Sequence, residues 1–175
     1  MQLGFSNISW SSSFKYLGCI FIGGKNLCVD INIVKRKFYS ACNCILGKTC
    51  SLNEIMRFNL QESFCLPVLQ YAMAAVRLPK LQVSELNACW NSVFRYIFGF
   101  AKSESVRAFI FGMERIDFAH IRMLQSYNFM KKALLSENCV LQGIASLVKL
   151  SKEFKELDMY LAVPGLIEKK LMRQD

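Results

Sequence analysis

The alternation of apolar and polar positions changes period once along this chain. Aromatic and β-branched runs over residues 5–10 and 14–22 are separated by Ser11, Ser12 and Ser13 and closed by Gly23 and Gly24. They predict two strands joined by a turn. From Asn26 onward the period is helical. Ile31, Val34, Phe38, Cys42 and Ile45 make a narrow apolar stripe that Gly47 ends. Ser51 with Glu54 reads as a capping box opening a second helix through Ile55, Met56, Leu60 and Phe64. Pro67 kinks or restarts that helix, which then runs through Tyr71 to about Leu78, where Pro79 stops it. Val83, Leu86, Trp90, Val93 and Ile97 mark a third helix ending at Gly99. Further helices are expected over residues 104–111, from Asp117 as N-cap to Leu135, over 140–161 and over 164–172. The pattern predicts a mainly α chain, a short N-terminal β-hairpin followed by a helical bundle. The hairpin takes residues 1–24, the bundle 25–112 and a helical connector 113–175.

Composition narrows the class. The chain has 175 residues, 53% of them apolar, enough for a core and too apolar for a disordered tail. The longest uncharged run, residues 63–76, is broken by Pro67 and is shorter than the roughly 18 to 20 apolar residues needed to span a bilayer. No basic segment followed by an apolar core opens the sequence, so an intracellular protein of the cytoplasm or nucleus is expected, neither secreted nor transmembrane. The eight cysteines then read as reduced, buried thiols. A zinc site is disfavoured because Cys42, Cys44 and Cys50 contain no CxxC pair and His120, the only histidine, lies far downstream. A Cys/His nucleophilic pair built on His120 is equally weak.

Charge adds a direction. The net charge of +9 is uneven, with six basic and one acidic side chain in residues 1–50. A positive first third on an apolar remainder suggests a polyanion on one face and a packed scaffold behind it. At about 100° per residue, Arg36, Ser40, Asn43 and Gly47 fall opposite the apolar stripe of the first helix. Lys37 and Lys48 flank them on one side and Lys35 and Tyr39 on the other. Small hydrogen-bonding residues edged with cations suit the shallow minor groove of an A-like duplex, with lysines reaching phosphates. An ordinary solvated helix explains the same face, and the position of Lys35 beside the apolar stripe also suits a snorkelling side chain.

Several blocks carry a family resemblance. Phe14-Lys15-Tyr16-Leu17-Gly18 resembles the primer-grip hairpin of reverse transcriptases from non-LTR (LINE-like) retrotransposons. Lys35-Arg36-Lys37-Phe38 with Asn43, Leu66-Pro67-Val68-Leu69 leading to Tyr71, Trp90-Asn91 with Arg95-Tyr96-Ile97-Phe98-Gly99, and Glu104-Ser105-Val106-Arg107 resemble the thumb and the region beyond it in that family. These blocks keep the family's order over roughly residues 14–120. The sequence departs from the family after Tyr71, where Ala72 and Met73 stand in place of the usual glycine.

The resemblance implies the C-terminal part of an RNA-directed DNA polymerase, holding the primer and the RNA/DNA duplex against a fingers–palm part that this chain lacks. Tyr16, Leu17 and Gly18 would form the primer grip, and Lys35, Arg36, Lys37, Ser40, Asn43 and Lys48 would line the duplex. Asp30, Asp117, Asp158 and Asp175 are each isolated, and none forms the family's aspartate pair for two divalent cations. The expectation is therefore no catalysis by this chain alone and no cofactor in it, with Mg²⁺ belonging to the complete enzyme. A helical protein-interaction module, or the product of a decayed element, remains the competing reading, and exposed apolar surface would let the chain self-associate.

Overall fold

The N-terminal β region consists of two small antiparallel sheets. The computed structural model describes residues 2–3, 6–7, 11–24, 28–71, 76 and 78–149. Strands β1 (Gln2–Leu3) and β2 (Ser6–Asn7) pair antiparallel. Strands β3 (Ser13–Tyr16), β4 (Cys19–Ile22) and β5 (Cys28–Val29) form a three-stranded antiparallel sheet in that order. Residues 14–22, expected as one strand, are thus a hairpin with Phe14 opposite Phe21 and Tyr16 opposite Cys19. Leu17 (φ 45°) and Gly18 (φ 79°) close it. Positive φ at both loop positions is the I′ pattern, whose twist matches that of the flanking strands. Leucine in the left-handed region hid the turn from a reading that looks for two turn formers together. The helical period also starts later than Asn26, because β5 pairs Val29 with Phe21 and the Asp30 N–H donates to the Ile20 carbonyl at 2.9 Å.

Helix α1 (Ile31–Lys48) begins at Asp30, whose carboxylate accepts the Asn32 N–H at 2.9 Å. Ile31, Phe38, Cys42 and Leu46 are its buried stripe. Gly47 lies inside the last turn, and Thr49 ends the helix through its hydroxyl, which donates to the Ile45 carbonyl at 2.8 Å. Helix α2 (Glu54–Phe64) is capped by Asn53, not by Ser51. It buries Phe58 and Gln61 and leaves Ile55, Met56 and Phe64 exposed. Pro67 starts α3 (Leu66–Gln70), and Tyr71 ends it with ψ 125°. The expected continuation to Leu78 therefore fails at Tyr71, and residues 72–75 and 77 lie outside the described residues.

Helix α4 (Lys80–Phe98) stops at Gly99, whose φ of 73° lies in the left-handed region that favours glycine. Helix α5 (Arg107–Gly112) starts three residues later than the expected Glu104. Glu104 instead builds the preceding loop, where its carboxylate accepts the Ala101 N–H and its carbonyl accepts Arg95 Nε.

Aromatic rings join these helices. Phe38, Phe58, Trp90 and Phe94 are among the most deeply buried side chains. From α1 to α5 the rings run Phe38, Trp90, Phe58, Phe94, Phe98 and Phe109, with centroids 4.5 to 6.5 Å apart. Such pairs add about 0.5 to 1.5 kcal/mol beyond the burial of their area. Gln61, wholly buried, donates to the Cys42 carbonyl at 3.1 Å and so pins α2 to α1.

The chain divides into two compact units, Met1–Arg115 and Ile116–Asp175. The sheet therefore shares a unit with α1–α5. The second unit holds α6 (Phe118–Leu134), capped by Asp117 as expected, and α7 (Cys139–Lys149), capped by the Asn138 side chain. The expected helix over 140–161 is described only to residue 149, and the one over 164–172 lies outside the described residues. Among the described residues no helix is long and apolar enough to cross a membrane.

Candidate nucleic-acid interface

The same stripe that seats α1 on the bundle fixes what its other side presents. Arg36, Lys37, Ser40, Asn43, Cys44, Gly47 and Lys48 are all exposed. With a rise of 1.5 Å per residue, Arg36 and Lys48 stand about 18 Å apart along the helix. None of the three cations on this face is held in an ion pair with another described residue. Their charge is free to act outward. Ser40 and Asn43 lie between them, with Gly47 continuing the row of small side chains, so a partner can approach the backbone closely.

Lys35 stands apart from that face. Its ammonium meets the Glu85 carboxylate of α4 at 2.7 Å, and its side chain is only 24% exposed. Tyr39, one turn on, also leans on α4. Burial pushes its phenol above the ordinary value of 10.0, a hydrogen bond with Cys89 adds to the rise and one with Ser92 opposes it. The flank expected from Lys35 and Tyr39 is a seam between α1 and α4, which closes one edge of the basic face. Nothing in the sequence period marks Glu85 as the partner across that seam.

The hairpin tip forms a second exposed feature. Tyr16 is 60% and Leu17 70% exposed. Beneath the tip, the Tyr71 hydroxyl donates to the Leu17 carbonyl at 2.8 Å. The Tyr71 ring lies 3.7 Å from where a Cβ on Gly18 would stand. Phe14 stacks on Phe21 at 5.3 Å along the same ladder. The contact of Tyr71 with the turn was not legible, since it joins residues 54 positions apart.

The carboxylates serve structure. Asp30 and Asp117 cap α1 and α6, and Asp117 also pairs with His120 Nδ1 at 2.6 Å. Asp158 and Asp175 lie outside the described residues. Among the described residues no three His, Cys, Asp or Glu side chains gather into a group that could hold a metal ion. The thiols are not the uniformly buried set expected, and Cys28 is half-buried. Cys19, Cys42, Cys65 and Cys89 are buried, whereas Cys44, Cys50 and Cys139 are exposed. Burial pushes the Cys42 thiol far up, and the adjacent Cys65 adds to the shift. Cys65 is raised chiefly by burial as well. Both are held as neutral thiols and are poor nucleophiles.

No family model matches the chain, and neither the curated proteins nor the solved structures give a match.

Proposed function

We propose that this chain is the C-terminal, non-catalytic part of a non-LTR retrotransposon reverse transcriptase, and that it positions the primer and the RNA/DNA duplex against the fingers–palm part of that enzyme. The observation that carries the reading is the outward face of α1, where Arg36, Lys37 and Lys48 point away from the core around Ser40 and Asn43. The resemblance of the blocks over residues 14–120 supplies the family, and the exposed Tyr16-Leu17-Gly18 turn suits a grip on the primer. The contribution to catalysis is positioning alone, holding a reacting end where another part of the enzyme acts on it. Mg²⁺ belongs to that other part, and the working compartment is the cytoplasm or nucleus.

The test is a salt titration of binding to an RNA/DNA duplex. With four to six side chains on phosphates, log affinity falls against log salt with a slope of roughly −3 to −5. Replacing Arg36, Lys37 and Lys48 by Ala flattens the slope by about 2 to 3. A flat profile, or one unchanged in the triple variant, overturns the reading. Exposed Phe64, Leu81 and Phe111 favour a second reading, a helical module that binds protein, whose mark is partner binding insensitive to salt.

A further inference from the structure

The hairpin tip is the least supported part of the sheet. β5 pairs with Phe21 and Ile22, and the Asp30 N–H just past it reaches the Ile20 carbonyl, so only the ladder step nearest the turn, Tyr16 with Cys19, has no third strand. A two-stranded hairpin by itself is marginal in water. The turn also carries strain, because Leu17 sits at φ 45°, where an L-residue with a Cβ is disfavoured. Such a conformation persists only where its surroundings over-determine it.

Tyr71 is the residue that does so from outside the sheet. Its N–H is bound to the Pro67 carbonyl at 3.0 Å, which fixes it at the end of α3. Its hydroxyl then donates to the carbonyl of the strained residue, and its ring lies against Gly18. α3 in turn packs on α1 and α2. The tip is thereby tied to the element that carries the basic face.

We propose that Tyr71 is the positioning residue of the Tyr16-Leu17-Gly18 turn, setting where the tip stands relative to α1 so that one duplex end meets both. This rests on the duplex-holding reading and adds to it a residue that acts through the turn it holds. Removing only the hydroxyl, in Tyr71→Phe, frees the tip while keeping the ring and leaving Arg36, Lys37 and Lys48 in place.

The experiment compares the full chain and Tyr71→Phe on two probes, an RNA/DNA hybrid with a recessed DNA 3′ end and the same hybrid closed by loops at both ends. The wild type prefers the open end. Tyr71→Phe loses that preference, binds the closed hybrid as the wild type does and keeps its salt slope. In parallel, trypsin cleavage after Lys15 speeds up about fivefold, as losing one net hydrogen bond that restrains local opening implies.

Unchanged end preference in Tyr71→Phe overturns the proposal, as does equal weakening on both probes with a lower melting temperature, the mark of a merely structural role. A wild type that binds both hybrids alike overturns the positioning role and leaves duplex binding intact. A wild type that binds neither overturns the functional reading, and unchanged cleavage after Lys15 in Tyr71→Phe then overturns the clasp as well.

Discussion

Cys44 puts a reactive thiol in the middle of the basic face of α1, between Asn43 and the exposed Lys48. A duplex lying on that face covers it. Maleimide labelling of Cys44 therefore slows when RNA/DNA duplex is added at low salt, recovers at high salt and leaves the exposed Cys139 of the second unit unaffected. Equal protection of both thiols, or of neither, contradicts a duplex seat on α1. Single residues were legible where the signal is local: Asp117 as a cap and Gly99 as a stop each depend on neighbours within one turn. Asn53 displaces Ser51 because the Leu52 N–H turns back to the Thr49 carbonyl, which sets the helix start two residues later. Gln61 was illegible as a core residue, since only the Cys42 carbonyl of another helix makes its burial tolerable.

Among elements, the seam between α1 and the junction of α2 with α3 is where Cys42 meets Cys65. Both thiols have raised pKa values in the fold against an ordinary 9.0, so the folded state keeps protons that the unfolded chain gives up. The stabilisation is complete below pH 9 and is lost as the pH climbs from there toward the folded values. Each retained proton steepens the loss by about 1.4 kcal/mol per pH unit. Urea midpoints measured from pH 7 to 10.5 fall above pH 9, and they fall less steeply in Cys42→Ala/Cys65→Ala. Parallel profiles in the two proteins would show that this seam does not carry the effect. The mainly α fold and its leading hairpin were legible in the change of period. The position of the hairpin turn was not, because Gly18 stands alone as a turn former and Leu17 beside it gives no sign of its positive φ. On α2, the same apolar content masked which side faces in, and ring packing of Phe58 on Phe94 decides it.

For the molecule as a whole, the front-loaded charge named only a region, and the helical projection of α1 was what set Arg36, Lys37 and Lys48 apart from the buried stripe. What it left out is apolar surface. Helix α7 of the second unit exposes Val140, Ile144 and Leu147, spaced at i, i+4 and i+7 along one stripe. Stripes of this kind drive association when nothing covers them. At micromolar concentration the chain elutes in size exclusion ahead of a 20.1 kDa monomer, and Ile144→Lys with Leu147→Lys moves it back. A wild-type monomer at every concentration, or a double variant that elutes unchanged, removes α7 as the cause.

The sheet is stitched to the helices by residues made long after it. The Leu17 carbonyl waits for Tyr71, 54 residues later, and the Val29 carbonyl for Gln82, 53 residues later. At about 5 to 20 residues per second of synthesis, each stitch arrives roughly 3 to 10 s after the strand it secures. During that interval the ribosome carries a hairpin whose edges are unpaired and open to other chains. The pace of translation between codons 29 and 82, more than the strands themselves, sets how long the newborn sheet is exposed.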